Sequence, residues 1–259
     1  MMSEDIVSDL MRAYVYRLAE KSERVDGRAF DEPRKITIQR SFVKTAQGSA
    51  RVKLGNSDVL VGIKMSVGEP YPDTPNTGVL STSVEMVPLA SPTFEAGPPR
   101  PEAIELARVV DRGIRESKMV NTEKLCITPK EKVWIMFIDI HVLDYHGNLF
   151  DASSYGAVAA LAGTTVPAKA QGMGEDFPLP VDHWPVSVTF AKIKDVILVD
   201  PSLDEERMAN ARLTVTTDEN GDIRAMQKGL SGSFTYDEVK RIIETAQKVG
   251  RAIRPQLQS

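Results

Sequence analysis

The sequence predicts an α+β fold, because strands come before helices in each of two halves of the chain. In the first half, apolar residues alternate on both sides of a GNS turn at residues 55–57, which is the pattern of a β-hairpin. In the second half, a similar pattern turns at the ENG sequence of residues 219–221. Amphipathic helices follow later in each half, at residues 102–118 and from Thr235 onward. This segregation of strands and helices is typical of α+β proteins.

Residues 1–24 are predicted to form an N-terminal helical extension. An amphipathic helix is expected at residues 3–21, and its apolar side would consist of Ile6, Leu10, Met11, Tyr14 and Leu18. The first half of the fold is expected at residues 25–170. Its strands are predicted at residues 36–38, 50–54, 59–67, 79–89 and 124–127.

The segment at residues 133–167 is the most informative part of the chain. An apolar run at 133–143, too short to cross a membrane, predicts a buried strand, and the DYHGN sequence after it predicts a turn. A helix of small residues is expected at 152–163, and Asp151 and Ser153 are residue types that favour a helix N-terminus. Because a helix N-terminus presents free N–H groups and the positive end of the helix dipole, this layout can hold an anion. The turn itself contains no Arg or Lys.

The second half of the fold is predicted at residues 171–259. Three prolines and two glycines at residues 171–185 indicate the boundary between the halves. Strands are predicted beyond it at residues 186–191, 196–199 and 213–226, the last being the second hairpin. A capping box formed by Thr235 and Glu238 begins the final helix. The predicted core face of that helix consists of Val239, Ile242, Ile243, Ala246 and Val249.

Composition indicates a soluble protein of 259 residues with a formal net charge of −4. The chain as a whole is therefore not a basic nucleic-acid binder, and any RNA contact must come from a local patch. No apolar run reaches the roughly 18 residues of a membrane helix, and the acidic N-terminus does not resemble a signal peptide. The single Cys126 excludes an intrachain disulfide and is expected to be a buried small residue in a reducing cytosol. The three histidines lack the spacing of metal ligands, so no metal or cofactor is expected.

Four motifs make the chain resemble the RNase PH-like phosphorolytic exoribonucleases. They are VLDYHGNLFDAS at residues 142–153, RVDGR at 24–28, EPYPDTPNTG at 69–78 and ELARVVDRGIRESK at 105–118. Their order along nearly the whole chain makes the resemblance specific, and the first motif is most similar to the non-catalytic RNase PH-like subunit of the archaeal exosome. The resemblance implies an RNase PH-like fold of duplicated βαβα units, similar to domain 2 of ribosomal protein S5.

The resemblance also implies which catalytic residues are missing. Catalytic members have roughly LQADGGTR where this chain has residues 143–150, so Phe150 takes the place of an arginine that holds phosphate. They have aspartates at the positions of Glu206 and Arg212, and an arginine cannot donate a proton at neutral pH. We therefore expect no catalytic residues in this chain. The acidic residues at 204–206 are interpreted as a solvated helical turn.

One basic face remains on the first amphipathic helix. At about 100° per residue, Arg108, Arg112 and Arg115 lie nearly opposite its apolar stripe. That stripe consists of Ala103, Leu106, Ala107, Val110 and Ile114. The arginines are either a solvated face paired with Glu105 and Glu116 or, as the resemblance implies, part of an RNA path shared with a catalytic neighbour. We expect RNA contact from Arg112 and Arg115, with Arg108 as a further candidate.

The sequence thus predicts a non-catalytic subunit that structures the active site of a catalytic RNase PH-like partner and contributes to 3'-to-5' RNA degradation. The partners implied by the resemblance are that catalytic exosome subunit, paired in three heterodimers that close a hexameric ring, RNA-binding cap subunits, and RNA. The expected location is cytoplasmic. The main alternative is a phosphorolytic 3'-to-5' exoribonuclease that is active in its own right. Two others are a bacterial or eukaryote-like homologue with a different ring and an unrelated α+β protein that binds small molecules.

Overall fold

The computed structural model describes residues 9–259, with side chains from residue 11 onward. A six-stranded sheet is formed by β1 (Ile36–Arg40), β2 (Gly48–Leu54), β3 (Ser57–Gly68), β4 (Val79–Met86), β5 (Cys126–Thr128) and β6 (Lys132–Asp144). The strand order is β1-β2-β3-β6-β4, and β5 pairs with β6. Every pair is antiparallel except β4 with β6. The predicted hairpin is confirmed, since β2 and β3 pair from Leu54 and Ser57 outward around the turn.

A four-stranded antiparallel sheet forms the second half of the structure. Between the two sheets in sequence lies a short ribbon of β7 (Thr165–Val166) and β8 (Phe177–Pro178). The second sheet contains β9 (Val186–Ile193), β10 (Val196–Val199), β11 (Ala211–Thr217) and β12 (Ile223–Gly229), in the order β10-β9-β11-β12. The second predicted hairpin is therefore also confirmed. The predicted division between residues 170 and 171 falls within the segment that joins the sheets, and it stays a prediction.

Five α-helices lie in the described part of the chain: α1 (Asp9–Glu20), α2 (Pro101–Glu116), α3 (Leu149–Ala162), α4 (Leu203–Met208) and α5 (Tyr236–Gln258). Helix α3 packs against β2 and β3 of the first sheet and against β9 of the second. Its residues from Leu149 to Leu161 are all buried, because most of them are apolar or small and the helix lies between the two sheets. The Tyr155 hydroxyl donates a 2.8 Å hydrogen bond to the Ser187 carbonyl oxygen of β9. Helix α3 thus connects the two sheets through the core.

The other long helices cover the outer faces of this core. Helix α2 packs on β4, α3 and β12, while α5 packs on β9, β11 and α3. The capping box that begins α5 is confirmed, because the Thr235 side chain accepts a hydrogen bond from the Glu238 N–H. On the predicted face of α5, Ile242, Ala246 and Val249 are buried. None of the helices in residues 9–259 combines the length and apolar character needed to cross a membrane.

The apolar face predicted for the N-terminal helix is wrong. Met11 and Tyr14 are exposed, whereas Val15 and Ala19 are buried. The two small side chains pack into a separate apolar cluster with Ala191, Ile193, Leu198 and Met208 of the second half. The buried face is therefore the one that contains Val15 and Ala19, which are four residues apart and lie on the side of the helix that packs against the second half. The predicted residues 3–8, including Ile6, and the side chain of Leu10 lie outside the described residues.

Other boundaries also differ from the sequence-based expectation. Strand β4 ends at Met86 instead of residue 89. Helix α3 begins at Leu149 instead of residue 152, because the Asn148 side chain accepts a hydrogen bond from the Asp151 N–H and caps the helix. The strand expected at 124–127 is a 3₁₀ turn at Thr122–Leu125 followed by the short strand β5. Cys126, at the start of β5, is half-buried rather than buried.

Candidate functional site

The turn before α3 places the helix N-terminus directly against the second half of the fold. Gly147 and Asn148 have φ values of 90° and 53°, which are left-handed conformations. A Cβ atom at Gly147 would lie 2.5 Å from the Leu203 nitrogen of α4, so glycine is required both for its φ and for the close approach. The tight contact brings the acidic residues of α4 to the end of α3.

The anion at this helix N-terminus is a carboxylate of the chain itself. Glu206 Oε2 accepts a 3.0 Å hydrogen bond from the Asn148 N–H and a 3.2 Å hydrogen bond from the Tyr145 hydroxyl. Burial raises the pKa of Glu206, and the Asn148 N–H and the charge of Arg212 offset part of that rise. Glu206 therefore satisfies the N–H group that could otherwise face a bound anion.

The interpretation of residues 204–206 as a solvated turn is wrong. Glu205 is buried, and its carboxylate accepts hydrogen bonds of 2.9 and 2.6 Å from the equally buried Arg24. The same guanidinium donates to the carbonyl oxygens of Val199 and Asp200. The RVDGR motif at residues 24–28 therefore contributes a buried arginine that ties the N-terminal segment to α4.

Asp200 is a second buried carboxylate beside the turn. It accepts three hydrogen bonds of 2.7 to 2.9 Å from Arg34, donated by the backbone N–H, Nε and Nη2. Asn148 Nδ2 donates a further hydrogen bond of 2.7 Å, and Arg28 Nη1 donates one of 3.2 Å. Burial alone would raise the pKa of Asp200, but the hydrogen bonds and the charge of Arg34 outweigh it and hold the pKa below its ordinary value. Arg34 also donates to the carbonyl oxygens of His146 and Gly147, so it fixes the turn.

Asp151, in the first turn of α3, is buried with different partners. Its Oδ2 accepts from Asn148 Nδ2 at 2.8 Å and from the Thr189 N–H at 3.0 Å, and its Oδ1 accepts from the Thr189 hydroxyl at 2.7 Å. No arginine or lysine contacts it in the described hydrogen-bond network. Burial, with a smaller contribution from the charge of Asp200, raises the pKa of Asp151 to about 7, although its hydrogen bonds act in the opposite direction.

The two residues predicted to replace catalytic groups are in contact with each other. The guanidinium carbon of Arg212 lies 4.0 Å from the centroid of the Phe150 ring, which is a cation–π contact. Nη2 of Arg212 also forms an ion pair with Glu105 of α2. The arginine thus connects the start of α3, strand β11 and helix α2 at the place where catalytic relatives were expected to hold phosphate.

The arginine face of α2, formed by Arg108, Arg112 and Arg115, is exposed as predicted. All three residues line a groove of about 510 Å³ between β4 and α2. Arg115 forms an ion pair with Asp111 at 3.0 Å and donates to the Leu80 carbonyl oxygen at 3.2 Å. Arg108 and Arg112 have no ion pair or hydrogen bond with any residue in the described range 9–259. Two of the three arginines are therefore available for an external anion.

The pairing expected within this helix differs from the one observed. Glu105 contacts Arg212 of the second half, and Arg115 contacts Asp111 instead of Glu116. Glu105, Arg108 and Arg112 line a second groove of about 430 Å³ together with Gln227 of β12. The arginine face is thus bordered by both halves of the fold.

The histidines contact carboxylates in separate places. His141 lies 3.3 Å from Glu85, and His183 lies 2.6 Å from Glu219. Across residues 9–259, no group of three or more His, Cys, Asp or Glu side chains is arranged to hold a metal ion.

Comparison with known proteins relates this architecture to one family. A model described as "3' exoribonuclease family, domain 1" matches residues 32–167, and one described as "3' exoribonuclease family, domain 2" matches residues 183–249. The chain belongs to the 3' exoribonuclease (RNase PH) family. The predicted RNase PH-like fold is thereby confirmed.

Several archaeal proteins match the chain over nearly its full length. The chain is 51% identical to the exosome complex component Rrp42 of Methanocella arvoryzae over 257 residues, or 99% of both chains. It is 52% identical to the Rrp42 component of Thermoplasma acidophilum over 252 residues, or 97% of this chain and 96% of the relative. Among solved structures, it matches a chain of an Archaeoglobus fulgidus exosome that has RNA bound to the active site. The TM-score is 0.94 and the sequence identity is 49%, and the match covers 96% of this chain and 98% of that chain. A chain of an archaeal exosome core matches with a TM-score of 0.90 and 45% identity, covering 97% of each chain.

Arg34 and Asp200 were not singled out from the sequence, and neither was the pairing of Glu105 with Arg212. Arg34 and Asp200 are 166 positions apart, and Glu105 and Arg212 are 107 positions apart, so no local spacing relates them. The available signal was the RNase PH-like RVDGR motif, whose Arg24 and Arg28 both bind to the segment that precedes α4. Pairings between the halves of the fold require the tertiary structure.

We expect Asp151→Asn to change how stability depends on pH. Between the ordinary pKa of 3.8 and the folded-state value of about 7, the folded protein holds a proton on Asp151 that the unfolded chain has released. The free energy of unfolding should therefore fall as pH rises across that interval, by up to roughly 1.4 kcal/mol per pH unit. An asparagine can accept the two N–H groups and donate to the Thr189 hydroxyl, so the variant should fold.

Urea unfolding of the wild type and of Asp151→Asn at several pH values between about 4 and about 7.5 measures this effect. The stability of the wild type relative to the variant should decrease steadily with pH. A difference in unfolding free energy that stays constant across the series would contradict the titration assigned to Asp151.

Proposed function

We propose that this chain is a non-catalytic subunit of an archaeal exosome. In this proposal it structures the active site of a catalytic RNase PH-like partner and contributes to RNA binding in 3'-to-5' RNA degradation. The observation that carries the proposal is the stacking of Arg212 on Phe150, with Glu206 at the α3 N-terminus. These groups fill the place where a catalytic family member would require a phosphate ligand and an acid.

Phosphorolysis requires phosphate to be held in line with an RNA phosphate and a group that protonates the departing hydroxyl. Here the N–H of Asn148, the cap residue of α3, already donates to the Glu206 carboxyl, so it is not available to phosphate. An arginine, the residue at position 212, cannot serve as the acid. Phe150 offers no charge to a phosphate. We therefore expect that the chain alone does not meet these requirements.

The proposed partners follow from the similar proteins. The relatives from Methanocella arvoryzae and Thermoplasma acidophilum are exosome complex components, and the Archaeoglobus fulgidus structure is an exosome with RNA bound to the active site. By similarity over nearly the full length, this chain would pair with a catalytic RNase PH-like subunit. Three such heterodimers would close a hexameric ring that also carries RNA-binding cap subunits. The complex would act in the cytoplasm.

The proposed RNA contacts are Arg112, Arg115 and Arg108 on the exposed face of α2. RNA affinity depends largely on cations that neutralise phosphates, and an acidic chain must supply them from a local patch. Arg112 and Arg108 have no protein partner in the part of the chain that the structure describes. Arg115 is already paired with Asp111, so its contribution is expected to be smaller than that of Arg112.

Mixing experiments test the proposal at the level of the complex. The purified chain should not release nucleoside diphosphates from RNA and phosphate. With an equimolar catalytic RNase PH-like subunit, it should form a ring of three heterodimers that does so, as measured by light scattering after size exclusion and by product analysis. Robust phosphate-dependent shortening of RNA by the chain alone would overturn the non-catalytic assignment, and two separate peaks at all concentrations and salts would overturn the assembly.

Charge reversal at Arg112 and Arg115 tests the RNA contacts. Both side chains are exposed, so Arg112→Glu/Arg115→Glu should still assemble while the ring loses about tenfold or more in RNA affinity. The slope of log K against log salt should become less steep by about 0.7 for each lost phosphate contact. Equilibrium binding at two or more salt concentrations measures both effects.

Arg241→Glu/Arg251→Glu provides a control with the same change of charge on exposed positions of α5. This variant should bind RNA within about twofold of the wild type. If the α2 variant also binds and shortens RNA normally, its arginines are only a solvated face. If the ring fails to form, they belong to a subunit interface instead.

A further inference from the structure

We infer that Arg212 is a positioning residue for RNA binding, which neutralises Glu105 and thereby keeps the arginine face of α2 cationic. This inference rests on the proposed RNA contact of that face. Arg212 would thus have a role of its own, beyond the absence of a catalytic carboxylate at its position.

The helix geometry places Glu105 on the same surface as the arginines. Arg108 and Arg112 follow Glu105 by three and seven residues, which is the spacing of one helix face. All three residues line the groove that α2 forms with Gln227 of β12. An unpaired Glu105 would therefore repel RNA phosphates, or form an ion pair with Arg108 and remove one of the free cations. Its ion pair with Arg212 prevents both effects.

The surroundings of Arg212 hold its guanidinium in the required place. Phe150 supports one face of the guanidinium at 4.0 Å from the ring centroid. Gly229 lies opposite Arg212 on β12, and a Cβ atom there would come within 2.4 Å of Arg212 Nη2. The glycine leaves the space through which the arginine reaches Glu105. The pair therefore joins α2 to both β11 and α3.

Stability alone does not account for this arrangement. Arg212 is 9% exposed, and its Nε atom is buried without a hydrogen-bond partner among the described residues. An ion pair with a carboxylate that is 37% exposed, like that of Glu105, contributes little to stability, and an unsatisfied buried N–H is unfavourable. An arginine in this place is thus better explained by the charge it offsets on α2 than by packing.

Four variants of the assembled complex test the inference. Arg212→Gln leaves Glu105 unpaired and should weaken RNA binding about fivefold at low salt, which is the scale of one nearby charge in a medium of high dielectric constant. Adding Glu105→Gln to that variant should restore affinity to within about twofold of the wild type. Glu105→Gln alone should not weaken binding. Arg212→Lys keeps the charge and should also bind within about twofold of the wild type.

The decisive readout is the rescue, measured by RNA titration of rings whose mass has been verified by light scattering. Restored affinity in Arg212→Gln/Glu105→Gln supports charge neutralisation. An equally weak double variant, or a loss of binding in Arg212→Lys with the ring intact, would overturn the inference. Arg112→Glu in parallel separates the two proposals: if it has no effect, the proposed RNA face fails, and if it weakens binding while Arg212→Gln does not, only the role of Arg212 fails.

Discussion

The buried carboxylate of Asp200 has to be paired within the protein, because an isolated charge in the interior costs several kcal/mol. Arg34 binds both of its oxygens, Arg28 adds a further hydrogen bond, and Asn148 contacts it from the turn before α3. At this one carboxylate, the N-terminal segment that contains Arg28 and Arg34 meets the start of α3 and the second half of the fold. The position of α3 between the two sheets depends on the same contacts, since Asn148 is also the cap of that helix.

In the proposed function, this network retains the fold while the groups around the α3 N-terminus take no part in catalysis. The strand, turn and helix that could present an anion site are present, but Glu206 supplies the anion from within the chain. Arg212 and Phe150 then fill the adjoining space by stacking. Internal pairing of these charges stabilises the junction between the halves. In the proposed division of roles, catalysis belongs to the partner, while this chain provides structure and a cationic helix face.

The sequence predicts many of the turns, strands and helix ends well, because the signals for them come from neighbouring residues. The turn at residues 55–57, the buried strand before α3 and the Thr235–Glu238 capping box each depend on neighbouring residues, and each is observed. The exposed arginines of α2 follow from helical periodicity in the same way.

Features that depend on contacts between distant segments were not predictable. Glu205 appeared to be a solvated acid, yet it is buried against Arg24, which is 181 positions away. Val15 rather than Met11 faces the protein because of a cluster formed with the second sheet. The partner of Glu105 is likewise set by tertiary structure, since the helix alone offers Arg108. The physical reason is the same in each case: burial and pairing of a charge are properties of the assembled fold.

The central claim is that the chemistry of the complex does not take place in this chain. The most direct measurement uses a ring assembled from this chain and a catalytic RNase PH-like partner whose catalytic aspartate has been replaced by asparagine. Release of nucleoside diphosphates from RNA in the presence of phosphate is compared with release by the ring that contains the unaltered partner. The account predicts release only from the ring with the unaltered partner. Phosphate-dependent release by the ring with the inactivated partner would contradict it.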